Sequence, residues 1–178
     1  MATTKWVIDP THSELGFKIK HLMITNVKGS FDTFNVEATA EEEDFTKAKV
    51  TASIDTASVN TGNEQRDGHI KNADFFDVEK YPKISFTATR YENVDSDGSY
   101  ELYGDLTIKD ITKEVKLDVE FGGVAKDPWG NTKAGFTING KINRKDWNLN
   151  WNAALETGGV LLSDETRISC EIQLIKQA

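Results

Sequence analysis

Apolar and polar residues alternate in segment after segment of this chain, from Leu15, Phe17 and Ile19 near the start to Ile168, Cys170, Ile172 and Leu174 at the end. Alternation with a period of two places successive side chains on opposite faces of an extended strand. Each strand therefore offers an apolar face to a shared interior and a polar face to water. The pattern recurs in Val50-Ala52-Ile54, Ile84-Phe86-Ala88, Leu102-Gly104-Leu106-Ile108, Val115-Leu117-Val119-Phe121 and Phe136-Ile138-Gly140-Ile142, and an extended run starts at Val27 and reaches Ala40. Turn signals separate the runs: the acidic stretch 41–44, Asp95-Ser96-Asp97-Gly98, Lys109-Asp110 and Asp127-Pro128-Trp129-Gly130-Asn131. About eight strands in hairpin order predict an all-β, antiparallel up-and-down barrel, with a two-sheet sandwich as the alternative architecture. A barrel of that size is either filled by its own side chains or holds one small ligand.

Only residues 59–82 break the rhythm. Asn60 to Lys71 reads as a short helical insertion, with Thr61 or Asn63 as N-cap, Glu64 in the first turn and Gly68 as a weak point. The aromatic connection Ala73-Asp74-Phe75-Phe76-Asp77-Val78 to Tyr81-Pro82 is too long for a hairpin turn and is placed to cover one end of the barrel.

The chain has 178 residues, which suits a single domain spanning 1–178 with a sizeable core or a cavity. Asp plus Glu number 29 against 21 Lys plus Arg, so the surface disfavours nucleic acid and anionic membranes as partners. No stretch approaches the roughly 20 apolar residues of a spanning helix, so stable membrane insertion is not expected. The start, Met1-Ala2-Thr3-Thr4-Lys5-Trp6, lacks the basic-then-apolar pattern of a secretory signal. As written this predicts a cytoplasmic protein, or a periplasmic one if a signal has been removed. The single cysteine, Cys170, lies on the apolar phase of its strand and reads as a small buried hydrophobe.

The polar residues that share the inward phase are few. His21 continues the phase of Leu15, Phe17 and Ile19; Arg144 follows Ile138 and Ile142; Arg90 follows Phe86 and Ala88. Each is either a polar cap at a strand end or a partner for an anionic headgroup, and for Arg90 solvent is the preferred reading. Arg66-Asp67-Gly68-His69 gathers ionisable groups on the helical insertion. An enzyme reading makes His69 an acid or base oriented by Asp67, although residues two apart on a regular helix do not share a face. No nucleophile motif or phosphate loop accompanies the cluster, and His12, His21 and His69 have no metal-ligand spacing, so no metal or cofactor is assigned. The apolar candidates, Phe17, Ile19, Phe31, Ile54, Phe75, Phe76, Phe86, Leu106, Ile108, Leu117, Val119, Phe136, Ile138, Trp147 and Trp151, either line a long tunnel or fill a solid core. An open tunnel would enclose an alkyl or prenyl chain at about 0.8 kcal/mol per methylene, and would bind amphiphiles rather than transform them.

Particular motifs support a family resemblance. Trp6-x-Ile8-Asp9-Pro10-x-His12-Ser13, Phe17-x-x-x-His21-Leu22 and Val27-x-Gly29-x-Phe31 are followed in order by Arg66-Asp67-x-His69-x-Lys71-x-x-Asp74-Phe75-Phe76-Asp77-Val78, Tyr81-Pro82-x-Ile84-x-Phe86, Gly104-Asp105-Leu106-Thr107-Ile108 and Ile142-Asn143-Arg144-x-Asp146. Together they resemble the YceI-like family over nearly the whole chain. The resemblance implies a lipocalin-like barrel that takes a polyisoprenoid, an isoprenoid quinone, a fatty amide or acid, or another long-chain amphiphilic lipid into an apolar pore, without catalysis and often as a homodimer. It implies a carrier or storage role with His21, Arg66, Asp67, His69 and Arg144 at a polar mouth. Two departures stand out: Asp110 where relatives have glycine, and Trp147-Asn148 where Phe-Gly is usual. An indole at 147 is expected to narrow any cavity that it faces. The rivals are a hydrolase or isomerase working through His69 and Asp67, and a stress-related protein-binding module with a solid core.

Overall fold

The computed structural model describes residues 3–22, 24–152 and 161–177. Its strands are β1 (Thr3–Ile8), β2 (Glu14–His21), β3 (Thr25–Phe31), β4 (Phe34–Glu41), β5 (Asp44–Asp55), β6 (Val59–Asn60), β7 (Lys83–Glu92), β8 (Tyr100–Ile108), β9 (Ile111–Lys126), β10 (Thr132–Asn143) and β11 (Leu162–Lys176), with one helix, α1 (Glu64–Lys71). All pairings are antiparallel, and the ring β1-β4-β5-β7-β8-β9-β10-β11 closes through β11 back to β1. This is the closed eight-strand barrel expected from the alternation, connected up and down.

Eleven strands arise from eight because three long ones are broken. β1 and β2 lie end to end along β11, β3 and β4 run back beside them, and β5 continues into β6 through a 3-10 turn at Thr56–Ser58. The break after β1 falls at Asp9, whose carboxylate caps the turn Pro10–His12. Proline removes an amide donor there and so interrupts the ladder. At the other end of the rhythm, Lys109 and Asp110 both adopt positive φ, 53° and 62°, the geometry of a two-residue hairpin turn. Aspartate enters this region more readily than most residues, which explains how it stands in for glycine.

Bulges account for two differences from the alternation. The register between β7 and β8 shifts between Ala88 and Arg90. Arg90 is therefore turned to solvent, where it pairs with Glu114 at 2.7 Å and lies over the Tyr103 ring at 3.8 Å, while Tyr91 turns inward and donates to the Ala48 carbonyl. A second shift between Thr39 and Glu41 accompanies an extension of β5 back to Asp44, well before Val50, and buries Phe45 out of phase with Ala48.

The helical insertion is shorter than Asn60–Lys71. Asn63 is its N-cap, accepting from the Arg66 amide at 2.9 Å. The following connection is fixed back to the barrel by Thr56, which donates to the Tyr81 carbonyl at 2.8 Å. In this way α1 and residues 72–82 are held over one end of the barrel. At the opposite end, Phe45 meets Trp6 at 4.9 Å, Phe136 at 5.0 Å and Phe121 at 5.9 Å between ring centroids. Such aromatic contacts form a packed floor.

Candidate apolar cavity and its polar mouth

Between the aromatic floor and the helical end lies a cavity of about 450 Å³. Its walls are the inward phases of the strands. β2 contributes Phe17, Ile19 and, at its last residue, His21; β3 contributes Phe31, and β5 contributes Ile54. Phe86 comes from β7, Leu106 and Ile108 from β8, Leu117 and Val119 from β9, and Phe136 and Ile138 from β10. Phe75 and Phe76 reach it from the connection after α1, and Trp151 from the segment after β10. The interior is thus not the solid core of the rival architecture.

Two expected residues do not border the cavity. Asn148 adopts the left-handed conformation at φ 63°, and Trp147, 2 % exposed, packs away from the cavity with its indole N–H donating to the Leu106 carbonyl at 3.0 Å. The indole therefore does not narrow the space. Asp67 is turned to the loop before α1, where its carboxylate accepts from the Thr61 amide at 2.9 Å and the Thr61 hydroxyl at 2.5 Å. Its partner is Thr61 and not His69.

Several lining residues were not anticipated. Phe45 was hidden because the shift at the start of β5 breaks the alternation. Ile70 and Tyr100 also line the cavity, as does Leu149, whose signal was present in the apolar positions 147, 149 and 151.

The arginines and histidines on the wall collect at the helical end. His69 pairs through Nε2 with Asp74 at 2.9 Å, and its ring lies 4.7 Å from that of Trp151 and 5.2 Å from that of Phe75. Arg66 is held by Thr61, with Nε donating to the hydroxyl and Nη2 to the carbonyl, each at 2.8 Å. His21 forms the end of β2, opposite Leu162 of β11.

Arg144 is the most constrained of the group. It is 3 % exposed, and it donates from Nε to the Ser163 carbonyl at 2.9 Å and from Nη1 to the carbonyls of Leu149 at 2.5 Å and Trp151 at 2.8 Å. Among the described residues, Nη2 is buried without a partner. Burial lowers the pKa of this guanidinium, opposed by the charge of Asp164. Asp164 itself pairs with Lys145 at 3.3 Å. No carboxylate lines the cavity among the described residues.

The reactive side chain on the wall, Cys170, has its thiol pushed up to about 12 by burial and is protonated at neutral pH. Among the described residues, no group of three or more His, Cys, Asp or Glu is placed to hold a metal ion, and no helix is long and apolar enough to cross a membrane.

Known proteins share this architecture. A UPF0312 protein of Staphylococcus aureus is 44% identical over 172 residues, covering 96% of each chain. The crystal structure of the Campylobacter jejuni YCEI protein superposes with a TM-score of 0.76 at 38% identity, covering 90% of this chain and 91% of that one. The fold also matches Burkholderia cenocepacia BcnA, with a TM-score of 0.77 at 21% identity over 93% and 98% of the two chains. A polyisoprenoid binding domain from Saccharophagus degradans matches with a TM-score of 0.66 at 15% identity over 97% and 98%. With the YceI-like domain model matching residues 6–174, the chain belongs to the YceI-like family.

Proposed function

We propose that this protein binds the apolar tail of a long-chain amphiphile inside its barrel, as a carrier or store and without chemical conversion. The carrying observation is the polarity of the cavity: aliphatic and aromatic walls ending on the floor at Phe45 and Phe136, with His21, Arg66, His69 and Arg144 at the opposite end. Such a gradient matches an amphiphile whose tail enters first. Each enclosed methylene contributes about 0.8 kcal/mol, so a chain of ten or more carbons supplies useful affinity without directional bonds. The fold shared with a domain named for polyisoprenoid binding supports the same ligand class. The enzyme reading loses support because Asp67 and His69 have separate partners.

The test is native mass spectrometry of the purified protein, followed by organic extraction of whatever it retains. A prenyl or acyl compound at one copy per cavity is the expected result. Ala52, on the wall of β5 opposite Val36 and Phe86, is the position to block. Ala52→Trp, if folded, should abolish retention. A protein that retains nothing and takes up neither a prenyl quinone nor hexadecanamide would overturn the reading.

A further inference from the structure

We propose that Arg144 is the anchor for an anionic headgroup, and that the ligand is a single-chain acid whose carboxylate completes the unfilled hydrogen bonding of this guanidinium. The proposal rests on the tail-binding reading above and adds the charge and length of the ligand. Three observations carry it.

Arg144 is buried as a cation, and its three acceptors are all neutral carbonyls. A buried charge normally demands an opposite charge, because desolvation costs more than neutral dipoles return. The carboxylate acting on it, Asp164, is engaged by Lys145.

Among the described residues Nη2 has no acceptor, and it is screened from water. Buried donors are satisfied in the great majority of cases, so an orphan on a cavity wall marks a place for an acceptor brought from inside the barrel. A guanidinium and a carboxylate match in geometry as well as charge.

The third observation is the distribution of charge. The chain carries a net charge of −8, yet the described lining residues include two arginines and two histidines and no acid. A lining that carries cationic side chains and, among the described residues, no carboxylate favours an anion.

Length follows from volume. At about 30 Å³ per heavy atom, roughly the share of a water molecule in the liquid, 450 Å³ holds on the order of fifteen chain carbons. The Phe45 and Phe136 floor stops the chain there, with Trp6 edge-on and Phe121 tilted against Phe45. Hexadecanoate matches this space.

The experiment compares hexadecanoate with hexadecanamide, which has the same shape and no charge, by calorimetry on the delipidated full chain at about pH 8, where the acid is ionised. Hexadecanoate is expected to bind at least about tenfold tighter. Affinity should rise from dodecanoate to hexadecanoate by up to about fourfold per methylene and level off by eicosanoate. Arg144→Met should remove the advantage of the acid over the amide.

Because Arg144 also ties Leu149, Trp151 and Ser163 together, that variant is paired with a measurement on the natural sequence. Carboxyl-labelled hexadecanoate, followed by NMR through acid pH, should titrate below the free acid when bound. A midpoint above that of the free acid would show a carboxyl without a cation and overturn the anchor. Equal binding of acid and amide would overturn it too, leaving tail binding intact. Binding of neither compound would overturn both readings.

Discussion

Asp9 and Lys133 meet at 2.6 Å across the break between β1 and β2, tying the start of the chain to β10. The same carboxylate accepts from the Thr11 amide and hydroxyl and contacts His12 Nδ1 at 2.8 Å, while the Asp9 amide donates to the Gln173 carbonyl of β11. One residue thus caps a turn, pairs a cation and joins the strand that closes the barrel.

This network gives the barrel a defined acid sensitivity. Burial alone would raise the Asp9 pKa, but hydrogen bonds from Lys133, Thr11 and His12 outweigh it and hold the carboxyl far below its ordinary 3.8. A depressed folded pKa stabilises the native state fully above the unfolded value, and that contribution is lost as pH falls through the folded value. Asp9→Asn should lower the melting temperature at neutral pH by roughly 5 °C. The difference from the natural sequence should shrink progressively below about pH 4, followed by circular dichroism. A gap that stays constant to low pH would show that Asp9 acts through its shape alone.

Gly104 is required by a close approach. A Cβ there would collide with the Phe86 ring and lie 2.7 Å from the Thr87 carbonyl oxygen, a backbone atom that cannot step aside as a side chain does. Gly104→Ala is expected to cost about 1–3 kcal/mol by overpacking, read from urea unfolding. The Phe86 ring would have to leave its rotamer, so the cavity wall should change along with stability. Unaltered stability would mean that β7 and β8 slide apart at little cost.

The barrel was legible because alternation and burial report the same thing. Leu15, Phe17 and Ile19 of β2 and Phe136, Ile138 and Ile142 of β10 line the cavity as their phase implied. The simple count departs from the structure where one extra residue shifts the phase, although for Arg90 solvent is already the preferred reading of the sequence. Arg90 continues the inward count in sequence, yet a bulge after Ala88 turns it to water, and Phe45 falls outside the count for the same kind of reason. Such bulges are set by strand curvature and closure, which one chain's alternation does not encode.

Site residues outside strands were harder to read. Trp147 and Trp151 are alike in the sequence, and the left-handed turn at Asn148 sends the first to the Leu106 carbonyl and the second to the mouth. The state of Arg144 depends on three carbonyls from residues 149, 151 and 163 converging on one side chain. Its phase marked it as inward, whereas the missing partner of Nη2 is a property of the folded chain alone.

Cys170 should behave as an occupancy reporter. Its thiol is 7 % exposed and pushed up to about 12 by burial, so thiolate is scarce at neutral pH. Alkylation by iodoacetamide should be slow in the native state and reach one thiol per chain in denaturant, followed by mass spectrometry. Since the residue lines the cavity, a bound chain should slow any native reaction further. Rapid native modification that a bound chain does not slow would show access other than through the cavity, by opening of β11 from β2, its neighbour at Cys170.

Phe45 sets the depth of the cavity. Its ring contacts Trp6, Phe121 and Phe136 and faces the interior, so its size decides where an inserted tail must stop. Phe45→Leu removes the ring and its aromatic contacts but keeps an apolar side chain, at an expected cost of about 1–3 kcal/mol in stability. The shortened floor should admit extra carbons, shifting the chain length of tightest binding upward by one or two methylenes at about fourfold in affinity each. Trp6, whose indole donates to the Glu42 carbonyl at 3.3 Å, should keep the end closed, so the gain is limited to the space of the lost ring. A length series of acids measured by calorimetry separates the effects: a shifted optimum identifies Phe45 as the stop, and an unchanged optimum with uniformly weaker binding assigns the limit to the walls.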